Sequence, residues 1–309
     1  MRAAQTLINK AAMSDQGTAT STPTDATTEA WGVASVYTAV IAVLLALFSL
    51  YGAYYGVFSD MIQLPTHIGL VLMLVFGGDL LRRTEAGVAA RAVSLFLLVA
   101  AIIVMGYHVV FYREIADRYG ELTTLELYFG VIAIIVLLEA TRRSIGWAIV
   151  ILAIIALAYA YFGDLLPGLA GHRGYSVERI ISQLYLGGGG IFGTPLAVSS
   201  TFVILIVLFG SVLERAGASR TLMDIATGIT GRMRGGPAKA SVVGSSLMGM
   251  ISGTAVANVL TTGTISIPLM RRNGYTPRSA GAIEAVASTG GQLMPPVMGA
   301  AAFLMADMT

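Results

Sequence analysis

Cysteine is absent from the 309 residues. That excludes disulfides, thiolate metal ligands, iron–sulfur ligation and cysteine nucleophiles, and it leaves redox chemistry silent about the compartment. Histidine is nearly as scarce: His67, His108 and His172 stand far apart and form no HExxH-type pair, which argues against a zinc enzyme. Charge is thin, at 12% of residues, against 56% apolar residues and 36 glycines. A water-soluble domain has no means of hiding so much apolar surface. Segments of ~20 nearly continuous apolar residues point instead to membrane helices, the open-ended element that satisfies its own backbone hydrogen bonds in lipid.

The stretch 1–30 is polar, rich in Thr, Ala and Ser, and reads as a disordered cytoplasmic tail. Apolar sequence starts near Val33, too far behind Arg2 and Lys10 and in too long a run for a cleaved signal peptide. Apolar runs cover about 33–56, 66–81, 92–112, 123–141, 145–163 and 195–213, which makes the fold class an all-α polytopic membrane protein. Basic residues cluster at alternate ends: Arg2 and Lys10, then Arg82, Arg83 and Arg91, then Arg142 and Arg143, then Arg215, Arg220, Arg232, Arg234 and Lys239. Those ends are cytoplasmic by the positive-inside rule, and so is the N-terminus. Arg232, Arg234 and Lys239 read as orientation signals, with contact to anionic membrane lipid as the sharper option. Nucleic acid has no footprint, because basic residues sit at membrane boundaries without interleaved aromatics.

The run 240–270 breaks the alternation, since Arg271, Arg272 and Arg278 make its far side as basic as its near side. Its ~30 residues are too many for one span and too few for two. A re-entrant helical hairpin fits both facts, with its midpoint at Ser252-Gly253-Thr254-Ala255-Val256-Ala257-Asn258 and arms of ~12 to 14 residues reaching ~20 Å. The next segment, 279–307, carries Gly290-Gly291 and Pro295-Pro296 at its centre. Two missing amide donors beside two glycines predict a helix broken inside the membrane. Between the modules, 164–194 forms an outer connection with a short surface helix around SVERIISQLYL and a flexible joint at Gly187 to Gly190.

A hairpin tip and a helix break bring free carbonyls, amides and small hydroxyls together, the groups that bind alkali cations and anionic substrates. The close packing of small residues is the blander use of the same sequence. Glu284 leaves two readings open: a functional intramembrane carboxylate, or a partner for Arg278. Glu139 precedes Arg142 and Arg143 at ordinary helical ion-pair spacing. His108, beside Tyr107 and Tyr112, reads as an interfacial anchor. No convergent nucleophile, base or metal set appears within the spans, so an intramembrane enzyme is not indicated.

The segment from GRMRGGPAKASVVGSSLMGMISGTAVANVL to RRNGYTPRSAGAIEAVASTGGQLMPPVMGAAAFLMA resembles the large membrane subunit of the tripartite ATP-independent periplasmic (TRAP) transporters. The resemblance covers about 190–307 through RGGPAK, SGTAVAN, the GY link and ASTGGQLMPP in order. More narrowly it is to the fused form, so that 31–163 becomes a small-subunit-like module and 195–309 the first part of the inverted-repeat transporter domain. It implies a sodium-driven importer of small organic acids, commonly carboxylates, delivered by a periplasmic binding protein and moved by an elevator-like motion at the inner membrane. Sodium is the coupling ion, with no other metal or cofactor. Carried over by motif, Ser252 and the carbonyls of Gly291, Met294 and Pro296 hold sodium, while Thr254, Asn258, Gln292 and Glu284 are candidates for the substrate cavity. Asn258 stands where many separate large subunits have Asp. The resemblance also implies a second, inverted repeat, which the sequence up to Thr309 lacks, so the chain reads as a fragment that should not transport alone. The competing function, a non-transporting membrane scaffold, requires continuous spans without polar breaks.

Overall fold

The computed structural model describes residues 33–56, 58–82, 87–118, 121–165, 167, 171–295 and, in the last stretch, 298, 299, 302, 305 and 306. The tail 1–30 lies outside the described residues, as does most of 296–309. Among the described residues every regular element is helical.

Three long helices come first, α1 (Val33–Tyr55), α2 (Asp60–Arg82) and α3 (Val88–Val110). A short α4 (Tyr112–Asp117) leads to α5 (Thr124–Ser144) and α6 (Trp147–Phe162). Next comes α7 (Val177–Ile181), which runs on into a π-helical turn, Ser182–Leu186. A composite α8 fills Thr194–Arg215, with a π-helical stretch at Ser199–Val203. Four shorter helices follow: α9 (Ala218–Thr230), α10 (Gly236–Ser252), α11 (Ala255–Arg272) and α12 (Pro277–Gly291). Six helices among the described residues, α1, α2, α3, α5, α6 and α8, are long and apolar enough to cross a membrane. They coincide with the six apolar runs of the sequence.

The second of them starts at Asp60 rather than near 66. The carbonyl of Ser59 accepts hydrogen bonds from the amides of Ile62 (2.8 Å) and Gln63 (2.9 Å), so the polar DMIQ turn is already helical. Pro65 falls close to the helix start, where its missing N–H and its ring disturb the fewest turns. At the start of α5, Thr123 and Glu126 form a capping box, the Thr123 amide donating to Glu126 at 2.8 Å. Arg118 donates to the same buried carboxylate at 2.6 Å.

Lipid tails are as apolar as the helix surfaces, so close packing and polar contacts, more than the hydrophobic effect, select which faces meet. Among the earlier helices, Leu72 and Phe76 of α2, Val104 and Met105 of α3, and Ala133 and Val136 of α5 form one core with Ile181 of α7 and Tyr185 of the π-helical turn. Tyr185 is fully buried and donates to the carbonyl of Val104 at 3.1 Å. Gly130 makes this possible: a Cβ there would lie 2.3 Å from Ile181 Cγ2. The same fold-back corrects the reading of His108 as an interfacial anchor. Its ring is only 5% exposed and packs between Tyr185 and Phe192, at centroid distances of 4.4 and 4.6 Å. At the other end of these helices the pairing expected for Glu139 is made, with Arg142 at 2.6 Å and Arg143 at 2.7 Å. Arg143 also reaches across to Asp79 on α2 (2.6 Å) and Ser94 on α3 (2.7 Å).

In the second module α9 to α12 pack around Met223, Ala226, Met248, Met270, Ala280 and Ala287. α10 and α11 lie side by side as antiparallel arms joined only by Gly253 and Thr254. The arms have 17 and 18 residues, roughly 25 Å each at ~1.5 Å per residue, and are longer than the sequence suggested. α10 begins early, on Gly235 in a left-handed conformation (φ +69°) followed by Gly236 and Pro237, a sequence pre-set for a helix start.

Candidate functional site

The hairpin tip is set by one backbone requirement. Gly253 has φ +62°, the left-handed conformation that ends α10, and its amide bonds back to the Gly249 carbonyl at 3.3 Å. Thr254 then caps α11, its Oγ1 accepting from the amide of Ala257 at 3.3 Å. Ser252, the last residue of α10, has a buried Oγ with no hydrogen-bond partner among the described residues.

α12 brings its C-terminal end against this tip. Gly249 and Gly291 meet so closely that a Cβ on Gly249 would lie 2.3 Å from the Gly291 carbonyl oxygen. A Cβ on Gly291 would lie 2.4 Å from Asn258 Nδ2 and 2.9 Å from the Ser245 carbonyl oxygen. The α-helix stops at Gly291. Gln292 and Leu293 turn back on Thr289 and Gly290, the Met294 amide donates to the Gly291 carbonyl at 3.1 Å, and Gly299 donates to the Gln292 carbonyl at 2.8 Å. The Met294 carbonyl accepts from Met298 at 3.2 Å, which leaves its second lone pair. Met298 itself sits at φ +46°, a costly conformation for a side chain of its size. The site of a Cβ on Gly299 lies 3.8 Å from the Gly253 carbonyl oxygen, so the chain beyond the break returns to the hairpin tip.

The structure therefore sets Gly291 against Gly249, one turn before Ser252, and brings Gly253 and Gln292 to Gly299, with Met294 in the turn after Gly291, while Pro296 lies outside the described residues. Asn258 is fully buried, and its Nδ2 donates to the carbonyls of Ser245 (2.8 Å) and Ser288 (3.4 Å). Glu284 does not pair with Arg278, which is exposed. The Glu284 side chain is fully buried and accepts hydrogen bonds from Ser241 (2.6 Å), Ser245 (3.3 Å) and Ser288 (3.0 Å), and from Thr262 and Ser266. Sequence reasoning missed that shell, although its signal is present. Ser241 and Ser245, Thr262 and Ser266, and Glu284 and Ser288 are each spaced i, i+4, one polar pair on one face of each helix.

Residues 132–309, more than half of the chain, match the family model described as Tripartite ATP-independent periplasmic transporter, DctM component. The chain belongs to this TRAP permease family. Among its relatives are the C4-dicarboxylate TRAP transporter large permease protein DctM of Pseudomonas aeruginosa, 34% identical over 34% of this chain and 25% of the relative. The isethionate TRAP transporter permease protein DctMQ of Oleidesulfovibrio alaskensis is 32% identical over 31% of the chain and 16% of the relative. The uncharacterized protein YgiK of Salmonella typhimurium is 34% identical over 29% and 21%. The chain thus spans a quarter or less of the length of each of these relatives. No solved structure matches it. TRAP permeases are transport components rather than enzymes, and six apolar helices in a member of this family make the chain a multi-pass inner-membrane protein.

The hairpin α10–α11 and the end of α12 lie wholly inside the part that matches the TRAP family model, as does the Glu284 cluster.

Proposed function

We propose that this chain supplies the first cation site of a sodium-coupled TRAP permease, which imports small organic acids, carboxylates above all, handed over by a periplasmic substrate-binding protein. The observation that carries this reading is the buried Ser252 Oγ, unpartnered among the described residues, at a hairpin tip packed against the C-terminal end of α12. A buried hydroxyl without a partner is costly unless something takes its lone pairs. A hard cation takes oxygen ligands of this kind, and the last carbonyls of a helix present the negative end of its dipole. The carbonyls of Gly291, packed on Gly249, and of Met294 each retain a lone pair, and oxygens of this kind fit an alkali cation. Thr254, exposed at the tip, and Gln292, in the turn after α12, are the residues assigned in this reading to the substrate cavity.

In this reading the hairpin is re-entrant, with both basic ends and the N-terminus in the cytoplasm. The first module plays the part of a fused small subunit. The test is sodium-dependent uptake of a C4-dicarboxylate by the complete permease with its binding protein. Ser252→Ala raises the sodium concentration for half-maximal uptake about tenfold, equivalent to about 1.4 kcal/mol. An unchanged sodium dependence removes Ser252 from the site.

A further inference from the structure

Roughly 15 Å along the hairpin from its tip, at ~1.5 Å per residue, lies a second convergence of oxygens. The two carboxylate oxygens of Glu284 are surrounded by the hydroxyls of Ser241 and Ser245 from α10, Thr262 and Ser266 from α11, and Ser288 from its own helix. Glu284, Ser241, Ser245, Ser266 and Ser288 are all 0% exposed. Other hydroxyls on the same helices behave conventionally: Ser246, Thr261 and Thr289 bond to the carbonyl one turn back on their own helix, at 2.8, 2.8 and 2.7 Å. Ser241 and Ser266 turn to the carboxylate instead.

Nothing permanent neutralises this carboxylate. The charged residues on the elements packed around it are Glu214 and Arg215 of α8, Arg220 and Asp224 of α9, Lys239 of α10, Arg271 and Arg272 of α11, and Arg278 of α12. All of them are exposed, and none forms an ion pair with Glu284 among the described residues. A fully buried carboxylate is tolerated only when its charge is compensated. A Lys or Arg would do this irreversibly. Hydroxyls are different, because each can donate its hydrogen to a carboxylate or turn its lone pairs toward a cation. Five such hydroxyls around the two carboxylate oxygens form an exchangeable seat for one positive charge.

We propose that Glu284 and its five hydroxyls form a second monovalent-cation site in the hairpin, which takes one coupling cation, a proton or a sodium ion. The proposal rests on the reading of the chain as part of a cation-coupled permease, but it concerns a different set of ligands from the tip. Infrared difference spectroscopy on the purified complete permease tests it without any transport measurement. One series steps pH at fixed sodium; the other steps sodium at fixed pH, with choline keeping ionic strength constant. The expected result is a carboxyl band that responds in one series and is missing from Glu284→Gln; a response to pH identifies the proton, a response to sodium the metal ion. Ser266→Ala keeps the carboxyl and removes one donor, so it shifts that band, and it serves where Glu284→Gln does not fold. Identical bands in the wild type and Glu284→Gln in both series, or an unshifted band in Ser266→Ala, overturn the proposal. Failure of the tip site is read separately, from the sodium dependence of uptake in Ser252→Ala.

Discussion

Asn258 holds the hairpin together from within: its side-chain amide, on the second arm, donates to the carbonyl oxygen of Ser245 on the first at 2.8 Å. The same nitrogen reaches the carbonyl of Ser288 on α12, so one fully buried side chain joins three helices. Asn258→Asp replaces a donor with an acceptor that faces two carbonyls. The expected loss is about 1–3 kcal/mol, read as a lower thermal midpoint of the detergent-solubilised protein. A variant as stable as the parent would show that the amide is not the joint.

Neighbouring glycines should respond in opposite ways. Gly249→Ala and Gly291→Ala place a methyl group inside the contact between α10 and α12, and overpacking of this kind costs about 1–3 kcal/mol. Gly290→Ala meets nothing within 4 Å and sits in a helix, where Ala is favoured over Gly by up to about 1 kcal/mol. Thermal unfolding of the three variants side by side checks the order. Loss of stability in Gly290→Ala equal to that in Gly291→Ala would contradict the described contact.

Arg142 and Arg143 are adjacent in sequence and both bond to Glu139, yet their removal should differ. The Arg143 side chain is 11% exposed and also serves Asp79 and Ser94, whereas that of Arg142 is 37% exposed. Arg143→Ala removes the contacts to Asp79 on α2 and Ser94 on α3 together with that to Glu139, and costs about 1.5–3 kcal/mol, the range for hydrogen bonds to charged groups. Arg142→Ala costs about 1 kcal/mol or less. Equal losses would place the Asp79 contact at the surface.

The absence of native cysteine makes topology directly measurable. Single cysteines at Arg232 and Arg272 should both resist a membrane-impermeant reagent added to intact cells, and one in the 164–175 loop should label. Strong labelling of Arg272→Cys with Arg232→Cys protected sinks the re-entrant hairpin.

Much of the architecture was readable because membrane insertion is a local constraint. Each span must satisfy its own backbone, so its apolar run is visible in the sequence one helix at a time. The hairpin was legible for a related reason, since basic residues at both ends of 240–270 are a local signal. Helix starts were less so: a polar turn extends α2 back to Asp60, and Gly235 to Pro237 extends α10. The i, i+4 polar pairs on α10, α11 and α12 marked a face on each helix, but not that the three faces converge.

The sequence by itself determined that this chain is a polytopic helical membrane protein of the TRAP permease kind. Only the tertiary structure decided that Glu284 is enclosed by hydroxyls rather than paired with Arg278, that His108 is buried beneath Tyr185, and that Gly291 rests on Gly249. The physical reason is distance along the chain. Ser241 and Glu284 are 43 residues apart, and Ser266 and Glu284 18 apart. Helical periodicity says which side of a helix a residue occupies, while helix packing alone chooses what lies opposite.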